Sequence, residues 1–182
     1  LDGSSLKAVR EGRPGTLSLR AGQGHVRDPA SAFEADLDGV LAANDLLQHA
    51  PQLDWLAPRV RGRSQWRVGV AIPRAVQAGA AAPARLQLRS NLVGTTLDLP
   101  EPLAKPAAEA LPTTIATTLP LGDGELSVDL GGRLALRATT SPAGTGVRAV
   151  LGASRVTQPP PASGLAASGH APVLDALAWA IL

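Results

Sequence analysis

The chain has 182 residues with 17 basic and 15 acidic side chains, a net charge of +2. That length suits one domain, and so small and scattered a charge does not mark a nucleic-acid surface. There is no cysteine, which excludes disulfides, thiolate metal sites and cysteine nucleophiles. Three Trp, one Phe, no Tyr and no Met leave Leu, Val and Ala to fill the interior. Aromatics normally supply much of the buried area, so a thin apolar layer is expected rather than a thick core. No apolar run reaches the roughly 18 residues of a membrane span, and no signal peptide opens the chain. It begins at Leu1 and stops inside the apolar pattern "ALAWAIL", so both ends are expected to be cut from a longer protein.

In chain order, residues 1–15 read as a loop or short helix. "TLSLRA" alternates, with Leu17 and Leu19 on one face, as a half-buried strand does. "AFEADLDGVL" alternates again, with Phe33, Ala35 and Leu37 opposite Glu34, Asp36 and Asp38. "ANDLLQHAPQLDWLAP" changes period, and a short helix near 44–50 is expected there, capped by Asn44 or Asp45. Period two returns in "SQWRVGVAIP", where Trp66, Val68, Val70 and Ile72 share a face, and in "RLQLRS", where Leu86 and Leu88 do. Gly94 marks a bulge or a break between two shorter strands.

The proline cluster "LDLPEPLAKP" follows, and then a hairpin series. "LPTTIATTLPL" is rich in β-branched residues, and "GDG" at 122–124 reads as a tight turn. Leu126, Val128 and Leu130 share a face, Gly131 and Gly132 form a two-residue link, and Leu134 and Leu136 share the next face. "VRAVLGASRV" and "LAASGH" read as strands on either side of a proline-rich crossing, and "PVLDALAWAIL" begins a helix. The sum is mainly β: about eight to ten strands in a twisted, curled antiparallel sheet, with one or two short helices. An apolar sheet face must be covered, and the helices are too few to cover it. Either the sheet curls on itself into an open groove, or a ligand or neighbouring segment occupies the face.

Chemistry is hard to find. His25, His49 and His170 lack metal-ligand spacing, and turn or surface positions are the better reading. There is no nucleophile elbow, dinucleotide fingerprint or phosphate loop, so no catalytic residue, metal or cofactor is assigned. Glu34, Asp36 and Asp38 could approach calcium, but a solvated strand face explains them better, because calcium takes six or more oxygens in a cupped geometry. Trp55, Trp66 and Trp179 could form a stacking platform; for Trp55 and Trp66, packing is the better reading.

One set of residues carries a resemblance. Ser90, Leu92, Gly94, Leu99, Pro100, Pro102, Leu103, Lys105 and Pro106 fall in the pattern "S-N-L-x-G … LDLPEPLAKP". Gly62 and Trp66 precede them, and Gly164, Leu165, Gly169, Pro172, Leu174, Asp175 and Trp179 follow. In this order, over about residues 30–182, the chain resembles the YhdP family, AsmA-like envelope proteins of Gram-negative bacteria. The resemblance implies a periplasmic protein anchored in the inner membrane by a helix absent here. It also implies a β-groove, similar to bridge-like lipid-transfer proteins, that moves phospholipid between inner and outer membranes. On that basis Trp66, Val68, Val70, Ile72, Leu86, Leu88, Leu126, Val128, Leu130, Leu134 and Leu136 are the expected groove lining for acyl chains. Pro100, Pro102, Leu103 and Lys105 form the expected rim, with Lys105 either a solvated charge or a contact for lipid phosphate. Neighbouring segments of the same chain are the other expected partners, and open edges would favour self-association. Two other classes remain open: a structural or partner-binding β module without lipid, and an enzyme of unrecognised type.

Overall fold

Successive side chains of a strand point to opposite faces, so the alternation above fixes faces wherever strands form. A computed structural model of the chain describes residues 2–10, 13–22, 25–48, 51–74, 83–122 and 124–181. In chain order the strands are β1 (Asp2–Arg10), β2 (Arg13–Ala21), β3 (Ser31–Ala42), β4 (Val60–Pro73), β5 (Ala84–Ser90), β6 (Thr95–Leu97), β7 (Thr113–Leu119), β8 (Glu125–Leu130), β9 (Leu134–Ser141), β10 (Gly144–Leu151) and β11 (Gly164–Gly169). All but β6 lie side by side in chain order, from β1 at one edge to β11 at the other, in an open sheet. Short β6 pairs only with Val60–Gly62 at the start of β4. The helices are α1 (Ala43–Leu47), a 3-10 turn (Pro51–Leu56) and α2 (Ala176–Ala180).

The architecture is therefore mainly β, open and mostly antiparallel, as the alternation predicts. Several local expectations change. Residues 2–10 and the start of β2 are strands, not loop or helix, and pair with each other antiparallel. The N-cap of α1 is Ala42, which has no side-chain capping bond, instead of Asn44 or Asp45; Asp45 sits in the first turn, where a carboxylate favours the helix dipole. The link between β8 and β9 has three residues, because Arg133 joins Gly131 and Gly132 at the turn, with its N–H donating to Leu130 O at 2.9 Å. Strand β10 stops at Leu151, where Gly152 adopts φ +73°, so "GASRV" is not strand.

The largest departure is at β11, which pairs parallel to β10, Val147 opposite Leu165 and Leu151 opposite Gly169. A parallel neighbour needs a crossover rather than a hairpin, and residues 152–163 supply it. The crossover runs over the polar face of the sheet, since Arg148 Nε donates to Pro159 O at 2.7 Å. A Cβ on Gly146 would lie 1.7 Å from Pro161 O, so only glycine admits this crossing. The turn expected at 122–124 includes Asp123, and His49 and the loop at 75–82 likewise fall outside the described residues.

Candidate functional site

Paired residues on neighbouring strands point to the same side of a sheet, so register can be followed from strand to strand. Starting at β2, Leu17 lies opposite Leu37, then Val68, Leu88, Ile115, Val128, Leu136, Ala149 and finally Ala167 on β11. A second row runs through Ala35, Val70, Leu86, Thr117, Leu126, Ala138 and Val147. Trp66, Ser90, Thr113, Leu130 and Leu134 make a third. All the residues expected to line the apolar surface thus share one side. Leu37, whose face the alternation gave, and Ile115, whose face it did not, belong to the same row.

The opposite face is charged and paired. Arg20 meets Asp36 at 3.0 Å, Arg27 meets Asp36 at 3.2 Å, Arg67 meets Asp38 at 2.8 Å and Arg137 meets Glu125 at 2.8 Å. Glu34 is buried and accepts the N–H groups of Arg27 and Asp28, each at 2.9 Å. Burial alone would raise its pKa, but those two bonds and the Arg27 charge outweigh it and hold the carboxyl below its ordinary value. Glu34 is therefore held by backbone N–H groups and Asp36 and Asp38 by arginines, and the Asp38–Arg67 pair lies on an exposed part of the face, as the solvated-face reading has it. Among the described residues no group of three or more His, Asp or Glu could hold a metal ion.

Most of the apolar face is only half-buried, and Ile72 keeps 43% of its surface exposed. One margin differs. There Leu41 and Trp66 pack with Leu92, Leu97 and Leu111 into the buried cluster, flanked by Val68, Leu88, Ile115 and Leu130. Residues 91–112, which contain β6 and the proline cluster, fold over this margin as a cap. Trp66 is buried, as expected, whereas Trp55 is 48% exposed; it sits in a 3-10 turn rather than on an amphipathic helix.

The cap depends on backbone approach and on one cation. Gly62 and Gly94 adopt φ +109° and +94°, and a Cβ on Gly62 would lie 2.1 Å from Gly94 O. Beside them, the hydroxyls of Ser64 and Thr95 share a buried hydrogen bond of 2.5 Å. Lys105 is 2% exposed. Its ammonium donates to Leu92 O at 2.9 Å, Thr95 O at 2.7 Å and Pro106 O at 2.9 Å, one bond for each N–H. Burial pulls its pKa below the ordinary value, the Glu109 carboxylate opposes that shift, and Arg133 adds to it. Lys105 is thus neither a solvated charge nor free to meet a phosphate: its donors are used inside the cap. Pro102 and Leu103 are buried with it, and Pro100 is half-buried.

Arg133 was not evident from the sequence. From the β8–β9 turn it donates to Ala104 O at 2.8 Å and pairs with the Glu109 carboxylate. Only its place after two glycines hinted at a role. The C-terminal segment joins the same cap: Trp179 Nε1 donates to Glu101 O at 3.0 Å, and Asp175 caps α2 by accepting the Ala178 N–H at 2.9 Å.

An open sheet with one aliphatic face, one ion-paired face and a cap built from the proline–lysine motif defines an open, capped β-sheet protein. The chain belongs to the YhdP family: it matches the family described as YhdP protein over residues 1–182. The match includes the first thirty residues, which the motifs alone did not reach. Neither the curated proteins nor the solved structures contain a match to the chain.

Proposed function

We propose that the aliphatic face carries phospholipid acyl chains, and that the chain is a segment of a lipid-conducting groove between the inner and outer membranes of a Gram-negative envelope. The observation that carries this reading is the unbroken aliphatic row from Leu17 to Ala167, crossing the sheet while remaining only partly covered. Family membership supports an envelope lipid-transport role. Acyl chains supply the missing cover at about 0.8 kcal/mol per buried CH₂, and they need no specific polar contact. Among the described residues no helix is long and apolar enough to cross a membrane. The open edges at β1 and β11 suit neighbouring segments of the same chain as partners.

Site-specific photo-crosslinking tests the reading in the protein as expressed in the envelope. Probes at positions 70, 126 and 136 should capture phospholipid, and probes at 87 and 89 on the opposite face should not. Capture of polypeptide in place of lipid at the first three would assign the face to a protein partner. Lipid capture only at 87 and 89 would invert the two faces.

A further inference from the structure

The proline–lysine motif was expected at a groove rim, with its lysine either solvated or at a lipid phosphate, yet that lysine is sealed inside the cap. We propose that the cap is a fixed side wall that confines acyl chains to the uncapped part of the aliphatic face, and that Lys105 is the positioning residue that holds the wall in place. This inference rests on the lipid-carrying reading above.

The wall leaves no room beneath it. Trp66 keeps 5% of its surface exposed, Leu92 6% and Leu111 3%, so an acyl chain reaches them only if the cap lifts. Lifting the cap would strip the Lys105 ammonium of all three carbonyl partners. It would also break the Arg133 bond to Ala104 O and the contact of Gly62 with Gly94 O. A charged group leaving that many partners at once resists opening. Leu92 holds φ +53°, a conformation costly for an L-residue, so the contacts of the cap, among them the bond from Lys105 to its carbonyl, must impose it.

Away from the wall, the face is open from Val70 to Ile72 on β4, whereas Val68 packs against the capped cluster. The two residue steps from Val70 to Ile72, at about 3.3 Å each, make a stripe about 7 Å wide at this strand. Thr117 and Leu126 continue that stripe on β7 and β8. The cap thereby sets the width of the lipid path, which the sheet alone would leave undefined.

The test compares photo-crosslinking at positions 66 and 130, under or beside the wall, with positions 70 and 126 on the open stripe. In the unaltered protein, lipid capture is expected at 70 and 126 and only background at 66 and 130. Lys105→Met keeps the length of the side chain and removes its donors; capture at 66 and 130 should then rise to the level seen at 70. Circular dichroism and thermal unfolding verify that the variant is folded. If Lys105→Met does not fold, Arg133→Met loosens the wall from its outer side and should produce the same rise. Capture at 66 and 130 in the unaltered protein would overturn the wall. An unchanged pattern in folded Lys105→Met would overturn the role of Lys105. Absence of lipid at 70 and 126 would instead overturn the lipid-carrying reading itself.

Discussion

Replacing Gly94 by Ala probes one of the two close backbone approaches in the cap. Gly94 adopts φ +94°, and a Cβ there would lie 2.2 Å from Arg63 O, far inside the about 3.5–4.0 Å of an ordinary contact. The backbone conformation costs an L-residue about 1–2 kcal/mol. Relief of the overlap must move backbone, because the colliding atom is a carbonyl oxygen, and overpacking of this kind costs about 1–3 kcal/mol more. The same movement strains the bonds from Arg63 N to Gly94 O at 3.1 Å and from Gly94 N to Ala107 O at 2.8 Å. A total of about 2–5 kcal/mol is expected from these two contributions. Gly132→Ala is the control: its φ is +73° and nothing lies within 4 Å of the added carbon, so only the conformational cost of about 1–2 kcal/mol applies. Urea unfolding followed by tryptophan fluorescence reads the difference, with equal m-values required for a simple comparison. If Gly94→Ala lowers the midpoint no more than Gly132→Ala does, the close approach does not hold the cap and the reasoning fails.

Two further outcomes follow from the faces. Val128→Asp places a carboxylate in the aliphatic row between Ile115 and Leu136, where an unpaired charge costs several kcal/mol once lipid excludes water; lipid passage should be lost while the fold, checked by circular dichroism, remains. Arg89→Asp on the opposite face should retain passage, and equal loss in both variants would contradict the assignment. Acid should weaken the sheet through Glu34. Its folded pKa lies below the ordinary 4.5, so its stabilising contribution is complete above that value and is lost as pH falls through the folded pKa. Stability measured against pH should therefore fall more steeply below pH 4.5 in the unaltered protein than in Glu34→Gln; parallel curves would show that Glu34 does not contribute.

Strand faces were legible because the pleat has a period of two. Trp66, Val68, Val70 and Ile72 could be placed on one side before any partner was known, and pairing then brought Leu88 and Val128 to the same side. Strand direction is not written in that alternation: "LAASGH" reads alike whether β11 runs parallel or antiparallel, and the long crossover decides. Residues 2–10 were obscured by glycine and charge, and their pairing with β2 is a tertiary effect that local propensity does not contain. Lys105 misled for a related reason. A lysine among prolines reads as exposed, but the carbonyls of Leu92 and Thr95, earlier in the same loop, converge on it only after the cap folds. Arg133 is legible only once the β8–β9 turn meets that cap.

The parallel pair has a consequence for where the chain travels. In a run of hairpins each strand reverses direction, so successive strands deliver the chain to alternate margins of the sheet. The crossover at 152–163 breaks that parity. Strands β10 and β11 both finish at the capped margin, where Leu151 stands beside Gly169. An eleventh strand laid down as another hairpin would have sent residues 170–181 to the far margin, out of reach of Glu101. One change of parity thus returns the C-terminal segment to the cap, and the Trp179 bond to Glu101 O ties together pieces of chain separated by several intervening strands.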